Sequence, residues 1–107
     1  MAELSPGTEL SIEIAVSADG VGVISVAGEL DSSNADTLGD AVAALVADRR
    51  ERLVFDLAGL RFMDSAGIAV LIVAAADVEV IELRNLSPIV RRVVEATGLT
   101  TIFQVQP

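Results

Sequence analysis

Phe62-Met63-Asp64-Ser65-Ala66-Gly67 follows the apolar run Arg52-Leu53-Val54-Phe55-Asp56-Leu57 and opens an uncharged stretch from Ala66 to Ala76. The first run reads as a short strand over 53–57. The second reads as a helix that starts near Ser65 and ends near Ala76 or Asp77. A chain that passes from strand to helix here has Ser65 at a helix start, where backbone N–H groups point outward and the helix dipole favours negative charge. A phosphate on Ser65 would be well placed there. The stretch therefore suggests a switchable surface rather than a catalytic pocket. Asp or Ser before a helix is most often simply an N-cap. The two roles are compatible, since Asp64 can cap while Ser65 stays exposed.

Upstream, Glu9-Leu10-Ser11-Ile12-Glu13-Ile14 alternates polar and apolar residues, the period of a half-buried strand. Residues 1–8 read as a loose tail. Asp19-Gly20 is a hairpin turn signal, Val21 to Val26 the returning strand, and Gly28-Glu29-Leu30-Asp31 a loop that breaks away from it. Ser32-Ser33-Asn34 supplies cap candidates, and Leu38, Val42, Leu45 and Val46 at helical spacing predict a helix over about 34–48. Arg49, Arg50 and Arg52 flank its end, where cations complement the dipole. Downstream, Val78 to Leu83 reads as a strand and Ser87-Pro88 as a cap with proline at the first helical position. Ile89, Val90, Val93 and Val94 form an apolar stripe opposite a solvated Arg91-Arg92 face, and Gly98 is the expected stop. Thr101-Ile102-Phe103 is a candidate last strand.

The order β-β-α-β-α-β-α-β implies parallel pairing with right-handed crossovers. If sequence neighbours are sheet neighbours, all helices fall on one face. The expected fold is a two-layer α/β domain, a mixed, mostly parallel sheet of four or five strands whose antiparallel edge is the first hairpin. Loops leaving parallel strands share one end of the sheet. That topology groups Glu29, Asp31 and Ser32 with Arg61, Asp64 and Ser65 and with Arg84, Asn85 and Ser87.

A chain of 107 residues is one domain with room for a single modest core. The hydrophobic fraction of 52% is that of a folding chain, and with three Phe and no Trp or Tyr the core must be aliphatic. Net charge is −9, and all seven bases are arginine. This argues against nucleic acid and anionic membrane surfaces as partners, and for a partner with a basic face. The absence of Cys and His excludes disulfides, thiol chemistry and the usual zinc sites. No metal or cofactor is expected. Met1 to Gly7 does not read as a secretory signal, and the longest uncharged run is about half a membrane span, so cytoplasm is the default reading.

Four elements in order, Gly28-Glu29-Leu30-Asp31, Phe62-Met63-Asp64-Ser65-Ala66-Gly67, Leu86-Ser87-Pro88 and Thr97-Gly98-Leu99, resemble the STAS domain, and more narrowly the bacterial anti-sigma factor antagonists. The resemblance covers roughly residues 9–103. It implies a protein that binds an anti-sigma factor, a serine kinase of the histidine-kinase-like ATPase fold, and so releases a sigma factor. It implies phosphorylation of Ser65 by that kinase, dissociation of the phosphorylated form, and a phosphatase that reverses the mark. By match, Asp31, Ser32, Asp64, Ser65, Ala66, Gly67 and Ile68 belong to the partner-facing region. Two departures stand out. The helix after Ser65 and its following loop look about a turn short, and the family's C-terminal helix is expected to be absent, because the sequence stops at Pro107.

Ala66, Ile68, Ala69, Val70, Leu71, Ile72, Val73 and Ala74 are apolar around a whole helical circumference. Such a helix is usually just buried; in a two-layer domain its outer side is instead a candidate partner patch. Two other functions compete with the switch. One is a STAS module that binds or scaffolds without phosphorylation, in a transporter or stress-sensing complex. The other is an enzyme with a Ser65 nucleophile. That serine would need an activating base, yet the chain has no His or Lys and no Gly-x-Ser-x-Gly motif, so a non-enzymatic role is expected.

Overall fold

A computed structural model describes residues 10–47, 52–101 and 103–106. The expected tail over 1–8, Arg49, Arg50 and Ile102 lie outside the described residues. Strands β1 (Leu10–Val16), β2 (Gly22–Leu30), β3 (Arg52–Met63), β4 (Val80–Arg84) and β5 (Gln104–Val105) alternate after the first hairpin with helices α1 (Ala35–Val46), α2 (Ser65–Asp77) and α3 (Pro88–Ala96). The sheet order is β1-β2-β3-β4-β5, with β1 antiparallel to β2 and the remaining pairs parallel. Consecutive order with right-handed crossovers leaves one face for all three helices. One core cluster takes Ile24, Val26 and Leu30 from β2, Leu53, Phe55, Leu57, Leu60 and Met63 from β3, and the buried stripes of every helix.

Local chemistry sets the boundaries. Gly20, at φ 86°, closes the hairpin by donating its N–H to Ser17 O at 2.9 Å. The Ser87 hydroxyl accepts from Val90 N at 3.3 Å with proline at the first helical turn, and Gly98 at φ 74° ends α3. Asn34 precedes α1, but its side chain turns backwards. Nδ2 donates to Glu29 O at 2.8 Å, and Oδ1 accepts from Asp31 N at 3.0 Å.

Four expectations need correction. Gly28-Glu29-Leu30 is not a loop. The chain bulges there, with Gly28 at φ 105° and register shifts on either side, then resumes pairing to the end of β2. Likewise β3 does not end at Leu57 but runs past Ala58-Gly59 to Met63. A bulge and a turn use the same small and polar residues, so the two strands look shorter in sequence than they are. The last strand is Gln104–Val105 rather than 101–103, because Leu99–Thr101 closes a 3₁₀ turn that drops Phe103 into the core. Finally, Arg52 is not a helix-end cation: it begins β3 and ion-pairs Glu82 at 2.5 Å.

Candidate functional site

The two long strands bring the site together. Glu29 pairs with Phe62 and Leu30 with Met63, so Asp31 and Asp64 leave adjacent parallel strands side by side. Asp64 N then donates to Leu30 O at 3.2 Å, tying the start of α2 to the peptide that precedes Asp31. Asp64, half-buried and extended, is the N-cap of α2. Its Oδ1 accepts from Ala66 N at 2.9 Å and from Gly67 N at 3.4 Å. Two of the helix's orphan donors are therefore already satisfied. Ser65 is the first residue of α2 and exposed, and no described residue hydrogen-bonds its hydroxyl.

The same carboxylate chemistry shapes the other lobe. Asp31 Oδ1 accepts from Ser33 N at 2.9 Å and from the Ser33 hydroxyl at 2.5 Å, while Asp31 O accepts from Asn34 N and Ala35 N. Asp31 is thus half-buried and holds the turn that launches α1; Ser32 projects from that turn, exposed. Arg61, itself exposed, approaches Glu29 at 3.9 Å and is the base beside these acids.

Gly67 explains how the helix sits so close to the strand ends. A Cβ built there would lie 2.6 Å from Met63 Cγ and 2.7 Å from Leu30 Cδ2. Hydrogen alone fits between α2 and the last side chains of β2 and β3. Ile68 is likewise buried in the core. Of the residues grouped as partner-facing, Gly67 and Ile68 therefore support the surface from beneath. Asp31, Ser32, Asp64, Ser65 and Ala66 remain at least partly accessible.

The third predicted loop does not join them. Arg84, the last residue of β4, pairs with Asp56, and Asn85 Nδ2 donates to Asp56 Oδ1 at 3.1 Å. β3 continues from Asp56 to Met63, which places Asn85 and Ser87 roughly 20 Å short of Ser65 at about 3.3 Å per residue.

The outer side of α2, which the sequence offered as a candidate patch, is exposed and bare of charge, with Ile72 45% and Val73 65% exposed. Two features near or beyond the site were not read from the sequence. Phe62, beside Asp64, is exposed, whereas Phe55 and Phe103 are buried. On the opposite side of the sheet Glu82 is buried and bonded by both Arg52 and Arg84, which holds its carboxyl below the usual glutamate range. A glutamate in a central strand of this short, otherwise apolar type, with arginines on it and its neighbour, was the available signal. Among the described residues no group of His, Cys, Asp or Glu could hold a metal ion, and no helix is long and apolar enough to cross a membrane.

A family model described as "Mlab, STAS domain" matches residues 14–105. BtrV of Bordetella bronchiseptica, named as an anti-sigma factor antagonist, is 34% identical over 91 residues, 81% of this chain and 78% of its own. The crystal structure of an anti-sigma factor antagonist from Mycobacterium paratuberculosis superposes with a TM-score of 0.88 at 32% identity, covering 97% of this chain and 91% of that one. The unphosphorylated form of the anti-sigma factor antagonist SpoIIAA shares the fold, with a TM-score of 0.78 at 22% identity over 91% of this chain and 89% of its own.

Proposed function

The chain belongs to the STAS-domain family of anti-sigma factor antagonists, and we propose that it is a binding switch governed by Ser65. In the unphosphorylated state the surface around Asp31, Ser32, Asp64 and Ser65 binds an anti-sigma factor kinase and frees a sigma factor. Phosphorylation of Ser65 ends that binding, and a phosphatase restores it. The observation that carries this reading is the division of labour at the start of α2: Asp64 does the capping, so the exposed Ser65 hydroxyl is left without a structural task.

The transfer step needs little from this chain. Ser65 Oγ attacks the γ-phosphorus of ATP held by the partner, the new Oγ–P bond forms as the bond to ADP breaks, and the hydroxyl proton passes to a base of the kinase. This chain has no His or Lys to serve as that base; its contribution is to present the nucleophile on a rigid helix start.

Phosphate adds a charge of about −2. In the free domain the attraction of the helix end, about 0.3–2 kcal/mol, opposes repulsion from the Asp64 carboxylate of roughly 1–2 kcal/mol in a wet setting. Because Asp64 already occupies the Ala66 and Gly67 N–H groups, the phosphate gains the dipole without fresh donors. The terms nearly cancel and the fold is left intact. At an interface shaped for a neutral hydroxyl, an unpaired buried charge costs several kcal/mol, and each 1.4 kcal/mol is about tenfold in affinity. A loss of a hundredfold or more is expected. The test is a pull-down from the native host with wild type, Ser65→Ala and Ser65→Glu. Ser65→Ala should retain its partner constitutively and Ser65→Glu should lose it; equal capture by all three sinks the proposal.

A further inference from the structure

Between α1 and α2 runs an open groove of about 790 Å³. Its walls are small and aliphatic: Gly39, Ala43 and Val46 on α1, and Ala69, Val70 and Val73 on α2. Its charged lining residues are Asp36, Asp40 and Asp77, and no described arginine lines it. The described arginines lie elsewhere, with Arg52, Arg61 and Arg84 on strands and Arg91 and Arg92 on α3. Among the described residues, then, an exposed apolar trough on a protein of net charge −9 is edged by acidic side chains alone.

We infer that this groove docks an amphipathic helix of a partner protein, apolar on one side and flanked by Lys or Arg. From Ala66 to Asp77 the trough follows α2 for about 17 Å at 1.5 Å per residue, the length of a three-turn helix lying along it. Helix-in-groove recognition needs an apolar floor for residues spaced three and four apart, and flanking charges that match the rim. Both are present. Gly39 points the same way. It sits inside α1, where glycine is a poor helix former, yet a Cβ there would meet nothing within 4 Å. Packing inside the domain does not require glycine at this position, and its missing side chain keeps the trough wide. A second copy of this chain is a poor occupant, because a two-fold contact sets Asp36, Asp40 and Asp77 against their own equivalents. Anionic lipid and nucleic acid are repelled by the same rim. One end of the groove is lined by Ser32 and Ala66, beside the Ser65 surface, so the inference extends that reading by giving the chemistry of the partner segment that docks there; the docking itself needs no phosphate.

The experiment uses the full chain, isotopically labelled, titrated with a stapled amphipathic peptide of Leu on one face and Arg at the flanks. The control is the same peptide with Glu replacing Arg. The Arg peptide is expected to shift the amides of Gly39, Ala43, Ala69 and Val73. Its affinity should fall about tenfold as salt rises from about 0.1 M to about 1 M, where the screening length shrinks from about 10 Å to about 3 Å. Gly39→Gln should weaken it about tenfold with an unchanged circular-dichroism spectrum, and Val73→Ser should weaken it as well. Equal binding of the Glu peptide, shifts confined to the sheet face or α3, or sedimentation showing self-association through these same amides would each overturn the inference. Because no kinase is present, the outcome is independent of whether Ser65 is a phosphoacceptor.

Discussion

Replacing Gly67 by alanine isolates the contact that fixes Ser65 relative to Asp31. The new Cβ would sit at 2.6–2.9 Å from atoms of Met63 and Leu30, both 1% exposed and hemmed in by the core. Carbon pairs prefer about 3.5–4.0 Å, so α2 must lift by about 1 Å or two packed side chains must leave their rotamers. Overpacking of this kind costs about 1–3 kcal/mol, and alanine returns about 0.8–1 kcal/mol of helix propensity. Gly39→Ala supplies the reference, because that Cβ meets nothing within 4 Å and only the propensity gain remains. Thermal melts of the two variants should therefore diverge. At about 4–8 °C per kcal/mol for a domain of this size, Gly39→Ala should raise the midpoint by several degrees and Gly67→Ala should lower or at best hold it. Amide shifts in Gly67→Ala should concentrate at residues 30–34 and 64–68. A Gly67→Ala midpoint equal to that of Gly39→Ala would refute the claim that glycine is there for close approach.

On the far side of the sheet, Arg52→Ala or Arg84→Ala alone should cost about 1 kcal/mol in a denaturant melt, because the other guanidinium still pairs Glu82. The double variant strands a buried carboxylate and should cost about 3–5 kcal/mol, more than the sum of the singles; additivity would contradict the shared role. The same carboxyl predicts a pH dependence. Its folded-state pKa is depressed by Arg52 first and Arg84 second, so the unfolded chain takes up the proton more readily. The stabilisation is complete above the ordinary glutamate value of about 4.3 and is lost as pH falls through the lower folded value. Stability of wild type minus Glu82→Gln, measured from pH 7 downward, should shrink only in that acidic window, and a constant difference would rule the pairing out. Asp31→Asn keeps an acceptor for Ser33 and should melt like wild type while losing partner affinity by about tenfold, whereas Asp31→Ala should lose both. Equal melting of the two variants would mean the turn does not depend on that oxygen.

The strand-to-helix passage at Asp64-Ser65 was legible because its chemistry is local: an acid that caps, a serine that follows, and an apolar run of helical length. The strand order was legible because alternating elements leave few topologies. What the sequence hid was long-range. Gly28 and Ala58-Gly59 look like chain breaks, and only pairing between β2 and β3 turns them into bulges within longer strands. That extra length is what separates Asn85 and Ser87 from the site while keeping Asp31 beside Asp64. Burial of Gly67 and Glu82 depends in each case on a neighbour thirty or more residues away, Leu30 for Gly67 and Arg52 for Glu82, beside the local contacts of Met63 and Arg84.

The most direct test of the Ser65 switch is to locate the phosphate on the protein recovered from its host, separately from partner-bound and free fractions. Trypsin cleaves after Arg61 and Arg84, and the resulting 62–84 peptide contains Ser65 as its single hydroxyl-bearing residue. Its mass alone therefore assigns the site. The account predicts that the peptide gains one phosphate in the free fraction and is unmodified in the bound fraction. Phosphate carried instead by peptides holding Ser32 or Ser87, or an equal share of phosphorylated 62–84 in the bound fraction, would contradict it.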